Sequence, residues 1–228
     1  MKPANRSTLF LALLTVGVSS IAIVSVRNQW SSTLEGLCFA TGAVCVWLVV
    51  RENIWNFPLG ILNVSGYAIV FFQANLYADA GLQIVYCILG FVGWTMWLRG
   101  VKMDKGKTKQ LQPISRISRT ELTALMVIVF VATLSLWRTL HWVGGSASFW
   151  DALTTSISLA SQWMLNRKQL ENWIGWIIVD FIYVPLYLYK ELYLTSVLYA
   201  VFLCMAIVGL IEWNRKYYSH GLEVLNPS

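Results

Sequence analysis

The chain has 228 residues, of which 57% are hydrophobic and only 12% charged; its mean hydropathy is +0.59 and its formal net charge +6. A soluble domain carries about 25% charged residues to keep its surface wet, so half that fraction leaves most of this surface facing something other than water. Soluble enzymes, secreted disulfide scaffolds and nucleic-acid binders drop out together, and a membrane protein with several spans remains.

The first apolar run, 8–26, follows Lys2 and Arg6 and so has the outline of a signal peptide. It is longer than a usual signal core and ends in Val26-Arg27-Asn28 rather than a small-residue cleavage site, so it is expected to stay as a helix. Runs at 34–50, 57–73 and 77–98 follow, then a basic segment at 99–119, then runs at 120–138, 148–165, 173–189 and 193–213. A spanning helix takes about 20 apolar residues. A lone strand in lipid would leave its backbone unpaired, so the expected fold class is all-α with eight transmembrane helices.

Counting basic residues on alternate sides tests that layout. Fourteen of the 17 Lys and Arg fall on the side of the N-terminus, leaving only Arg27, Arg138 and Lys190 on the other. The positive-inside rule then puts both termini in the cytoplasm. On this reading the 99–119 segment sets topology, although its charges would also suit anionic lipid heads. Cys38, Cys45, Cys87 and Cys204 sit singly in apolar runs, with no paired spacing, and read as small core- or lipid-facing residues.

Sliding the chain against itself by 116 residues aligns 35–97 with 151–213 without a gap, and thirteen of those 63 positions are identical. They include Trp47/Trp163, Arg51/Arg167, Asn56/Asn172, Tyr67/Tyr183, Gly93/Gly209 and Trp97/Trp213. Shared apolar composition would match Leu and Val; it does not readily match Trp, Tyr, Asn, Arg and Gly in one register. Each half holds three helices, and the helix at 120–138 turns the second half parallel to the first. Parallel repeats are a transporter architecture, with the solute site near the bilayer midplane. The expected divisions are an extra N-terminal helix (1–33), a first three-helix repeat (34–98), a basic loop with the connecting helix (99–147), a second repeat (148–214) and a tail (215–228).

The polar residues inside the runs give the candidate site. Trp173, Trp176, Asp180, Tyr183 and Tyr187 follow one another at steps of 3 and 4 and share one helix face. A carboxylate near the bilayer centre costs about 2.5–3.5 kcal/mol on insertion scales, so Asp180 is expected to face an interior and to be functional; a protonated acid bonded to a neighbouring helix is the alternative. The preceding run has its own stripe of Asp151, Thr155, Ser158, Gln162 and Asn166. In the first half, Asn56, Gly60, Asn63 and Tyr67 form one face, and Gln83, Tyr86, Gly90 and Trp94 another. Asn63 and Asp180 do not share a repeat position, so the site is pseudo-symmetric at most. An acid beside indole and phenol faces suits a flat or cationic group, and the amides and hydroxyls suit a polyol. The combination reads as a nucleoside-like solute. His141 and His220 lack metal-ligand spacing, and no P-loop, nucleophile elbow or zinc motif occurs, so no catalytic residue, metal or cofactor is assigned.

The strings WNFPLGILNVSGYAIVFF, LYADAGLQIVYCILGFVGW and ENWIGWIIVDFIYVPLYLYKELYLTSVLYAVF resemble the PnuC family of bacterial vitamin B3 transporters over about residues 34–213. The most specific part is Trp173, Trp176 and Asp180 with the LYLTSVLY that follows. The resemblance implies a three-one-three, SWEET-like core, to which the helix at 8–26 is an addition. It implies uptake of nicotinamide riboside across the bacterial inner membrane by facilitated diffusion, with a cytoplasmic kinase trapping the riboside. The implied partners are that solute, the lipid bilayer and, functionally, the kinase; nucleic acid is not among them, and homo-oligomerisation is left open. The site residues carried forward are Asn56, Asn63, Tyr67, Gln83, Tyr86, Trp94, Gln162, Trp173, Trp176, Asp180, Tyr183 and Tyr187. Two other readings stand beside this one, a proton-coupled carrier using Asp180 and a membrane enzyme.

Overall fold

The computed structural model describes residues 6–28, 32–73, 77–99, 113–142, 149–189 and 193–225. Among them lie eight helices: α1 (Arg6–Arg27), α2 (Thr33–Val50), α3 (Asn56–Gln73), α4 (Tyr77–Arg99), α5 (Arg119–Trp142), α6 (Phe149–Asn166), α7 (Asn172–Tyr189) and α8 (Tyr193–Leu225). The described residues hold no strand beyond one bridging pair, Ser115 with Gln169. Most of the exposed large side chains are apolar, among them Leu62, Phe91, Met126, Phe130 and Phe181, the surface a bilayer solvates and water does not.

Helix ends match the apolar runs closely, with one exception. α8 has 33 residues and continues to Leu225, well past the predicted end at 213. Its last stretch is too polar for hydropathy to find. At about 1.5 Å per residue the helix is about 50 Å long, more than the ~30 Å hydrocarbon layer it has to cross. Four segments are both long and apolar enough to span a membrane: Thr33–Val50, Ala80–Arg99, Arg119–Thr139 and Ser196–Ser219. Shorter apolar segments lie in α1, α3 and α7, at Leu13–Arg27, Asn56–Val70 and Asn172–Leu186. α6 buries Thr154, Ser156, Ser158 and Ser161, and this polar stripe lowers its hydropathy.

The chain divides into two compact units, Met1–Leu111 and Gln112–Ser228. In the first, α1 packs on α2, α2 on α3 and α3 on α4; in the second, α5 packs on α6, α6 on α7 and α7 on α8. The shift of 116 residues seen in the sequence recurs in the backbone of each unit. It carries the bounds of α2 onto α6 and those of α3 onto α7, and the start of α4 onto that of α8. It also carries Glu52 onto Lys168, the two described non-glycine residues with positive φ, at 53° and 52°. The flanking bonds match too. Asn53 N–H donates to Leu48 O and Gln169 N–H to Met164 O, while the side chains of Asn56 and Asn172 donate to Asn53 O and Gln169 O. Phe57 meets Trp97 edge-on at 5.0 Å, and Trp173 meets Trp213 edge-on at 5.5 Å. Within its own unit, α1 stands to α2 as α5 stands to α6, so the extra and connecting helices hold corresponding places.

Candidate functional site

The second unit holds most of the predicted site on α6 and α7, and their joining turn is fastened from one side. Lys168 is buried in its left-handed conformation. Ser115 N–H donates to Lys168 O (3.0 Å), and Leu170 N–H donates to Ser115 O (2.9 Å). Ile117 N–H donates to a Glu171 carboxylate oxygen (3.0 Å). Glu121 pairs with Arg167 and accepts from Gln169 Nε2 at 3.1 Å. Arg116 lies over the Tyr217 ring at 5.6 Å. The end of the basic segment is thus a clasp that sets where α7 begins; residues 100–112, the rest of its charge, lie outside the described residues.

The α7 face is not uniform. Trp173 is 2% exposed, lies against Gly209 and meets the edge of Trp213. A Cβ added at Gly209 would come within 2.6 Å of that indole, so the missing side chain makes the groove Trp173 fills. Trp173 is thus packed into the core of its unit, whereas it was expected on the solute face with Trp176 and Asp180. Trp176 is half-buried. Asp180 is 5% exposed and has no hydrogen bond or ion pair among the described residues. It follows Trp173 by two turns and precedes Tyr183 by one, and the Tyr183 ring lies 4.7 Å from that of Tyr199. It thus sits between two contacts that join α7 to α8. The side chain of Tyr187 lies outside what is described.

Close approach makes this packing possible. Any side chain at Gly175 would run into Ser161 of α6. On α6, Gln162 Nε2 donates to Asn166 Oδ1 at 3.0 Å, so part of the predicted stripe satisfies itself. Two residues that periodicity did not single out support α7. Thr154 Oγ1 lies 2.9 Å from the Tyr183 phenol oxygen, and Ser196 donates to Val184 O (2.9 Å), beside Pro185. Thr154 sits one position off the polar stripe, and only its bond to Tyr183 sets it apart.

The first unit treats its candidates differently. Asn56 is buried and donates its amide to Asn53 O at 2.7 Å, in the turn that leads into α3. Asn63 donates to Thr41 Oγ1 at 2.8 Å and to Cys38 O, tying α3 to α2. Both side-chain amides thus donate to protein acceptors within the unit. Tyr67, Gln83, Tyr86 and Trp94 are half-buried, and Trp94 stacks on Phe91 with ring centroids 6.4 Å apart. What remains in the second unit is an acid without a partner among the described residues, on a face that also carries an indole and a phenol. Such a group suits a positively charged aromatic ring, through charge and cation–π attraction.

Known proteins resemble this chain over most of its length. A family model described as nicotinamide mononucleotide transporter matches residues 32–215. The nicotinamide riboside transporter PnuC of Neisseria mucosa is 27% identical over 218 residues, covering 92% of this chain and 81% of its own. That of Escherichia coli is 24% identical over 216 residues, covering 86% of this chain and 90% of its own. A crystal structure of the vitamin B3 transporter PnuC superposes with a TM-score of 0.74 at 24% identity, covering 92% of this chain and 93% of that chain, and so shares its fold.

Proposed function

The chain belongs to the nicotinamide mononucleotide transporter family, a family of membrane transporters rather than enzymes, and from that premise we propose that it carries nicotinamide riboside by facilitated diffusion. The family's description names a mononucleotide, whereas the relatives are named for the riboside. The carrying observation is Asp180, a buried acid with no partner among the described residues, on a face of α7 that also carries Trp176 and Tyr183. A mononucleotide would bring a phosphate needing Lys or Arg. Neither α6 nor α7 contains a basic residue, and neither does α2 or α3. A riboside brings a cationic pyridinium and hydroxyls, which suit an acid, an indole and a phenol. Within this reading Trp176, Asp180 and Tyr183 bind the ring and sugar. Gln162, Tyr67, Gln83, Tyr86, Trp94 and Tyr187 are secondary candidates, while Trp173, Asn56 and Asn63 are structural.

The architecture proposed is eight spans, with residues 34–98 and 148–214 forming the two parallel three-helix repeats of a SWEET-like core. The matching helix bounds and the paired left-handed residues support it. The distribution of Lys and Arg supports both termini in the cytoplasm of a bacterial inner membrane. A cytoplasmic kinase would trap the riboside, which fits the lack of any nucleotide-binding motif in the chain.

Calorimetry of the purified protein against nicotinamide riboside, its mononucleotide, thiamine and riboflavin tests the substrate. The riboside should bind best; tighter binding of the mononucleotide would overturn the reading. Uptake into liposomes separates the mechanisms. A facilitator fills them to equilibrium and ignores a protonophore, whereas a proton-coupled carrier loses its flux.

A further inference from the structure

We infer that Gly175 is a positioning residue: its missing side chain lets α7 lie against Ser161 of α6, and so fixes where Trp176 and Asp180 stand. The inference rests on the reading of the α7 face as the solute site and adds what holds that face at its depth. A Cβ built at Gly175 would overlap Ser161 Oγ, and it would lie 3.2 Å from Ser161 Cβ and 3.8 Å from Ile157 Cγ2. Ser161 has little room to yield. It is fully buried, and its hydroxyl donates to Ile157 O at 2.8 Å, so turning it away would strand a buried polar group. Even then the two β-carbons would meet at 3.2 Å, inside the ~3.5–4.0 Å optimum for a carbon pair. An alanine at 175 must therefore push α7 off α6.

The same stripe of α7 stays buried one turn on, where Val179 is 2% exposed. Trp176 and Asp180 follow Gly175 and Val179 by one residue each, about 100° round the helix axis. All four ride on one stretch of helix, so a shift of α7 at Gly175 moves the indole and the acid together. The helix itself does not ask for glycine, which is disfavoured there against alanine. In the first unit the position matching Gly175 is Leu59, and the position matching Ser161 is Cys45. Leu59-Gly60 of α3 thus becomes Gly175-Trp176 of α7, with the large side chain moved one place along. In α7 the bulk stands on the stripe that carries the acid, and the gap stands where the helix meets α6.

The test is calorimetry with nicotinamide riboside and its neutral dihydro form, on the purified full chain, on Gly175→Ala and on two double variants. Gly175→Ala should weaken the cationic riboside about five- to thirtyfold, the loss of one desolvated cation–π contact, and the neutral form by much less. Adding Ser161→Ala removes the hydroxyl but keeps the approach of the β-carbons, so part of the loss should return. Adding Ser161→Gly exchanges the side chains across the seam and leaves the new methyl only its ordinary contact with Ile157, so the preference for the cation should be restored. A role in packing alone would lower Tm and the folded fraction while leaving that preference unchanged. A folded Gly175→Ala protein with the wild-type preference, or an exchange that fails to restore it, would overturn the inference. Should Gly175→Ala not fold, Ser161→Cys presses the same seam from α6 with a larger atom and should lose the same preference; a folded cysteine variant that keeps it would be equally fatal. A wild type that does not bind the riboside overturns the substrate reading instead. In that case fluorotryptophan placed at position 176 reads the indole without ligand. Its ¹⁹F resonance should move in Gly175→Ala and return in the Ser161→Gly exchange, which keeps the same neighbouring alanine; a resonance that never moves, or stays moved, would end the proposal.

Discussion

The two units share a backbone and differ in what they do with their polar side chains. In the first, Asn56 and Asn63 spend their N–H groups on Asn53, Thr41 and Cys38, all within the unit. In the second, the residue matching Val64 is Asp180, buried with no partner among the described residues, and the residue matching Gly60 is Trp176. The same helix-turn-helix scaffold thus carries polar groups as fasteners in one copy and as candidate ligands in the other. What distinguishes the two roles is whether a protein partner is already in place, since a buried polar group left unpaired is costly unless something else satisfies it.

The comparison is broken most severely at the residues the copies share in function. Trp173→Ala and its counterpart Phe57→Ala both open a core contact and should each cost about 3–5 kcal/mol of stability, measured as lost folded protein or a lowered Tm in detergent. If Trp173→Ala were as stable as wild type and lost only binding, the assignment of Trp173 to the core would fail. Next comes Asp180→Asn. Replacing the acid should weaken riboside binding by about 1.5–3 kcal/mol, the range for a hydrogen bond to a charged group, and should leave a neutral analogue of similar shape nearly unaffected. Equal losses for both ligands would move Asp180 to the sugar side of the solute or to packing. Trp176→Ala should cost about 1–2 kcal/mol of binding, a desolvated cation–π contact, with Tm almost unchanged. The smallest effect belongs to the clasp. Arg167 and Glu121 are 40% and 29% exposed, so Glu121→Gln should change stability by only about 0–1 kcal/mol, as surface pairs do. A larger drop would mean the clasp holds more than the turn beside it.

The eight helices were legible because a spanning segment advertises itself by length and apolarity, and the repeat because Trp, Tyr, Asn and Gly do not coincide in one register by composition. The end of α8 was not legible, because Asn214, Arg215 and Lys216 close the apolar run while the helix continues. Periodicity placed Trp173 and Asp180 on one face and was right about the face. It could not see that Gly209, on another helix, makes a groove that Trp173 fills, since the reason lies 36 residues along the chain. The bonds of Asn56 and Asn63 within their unit were hidden for a similar reason: a mid-run amide reads alike whether its partner is a solute or a neighbouring helix. Thr154 went unremarked because its importance is a bond to Tyr183 and not its place in a stripe.

The paired left-handed residues carry a consequence for how the turn is encoded. Glu52 and Lys168 hold the same strained conformation with side chains of opposite charge, and neither is the glycine that such a φ favours. Matching turns can carry a negative or a positive side chain here only if the turn is dictated by its neighbours' backbone bonds and not by the residue's own preference. The turn is therefore specified as a shape and not as a letter. Grafting residues 51–56 in place of 167–172 would ask whether the shape outweighs the side chains: the graft keeps Arg at 167 and Asn at 172, should keep the helix ends, and should forfeit only the bonds made by the side chains of Gln169 and Glu171.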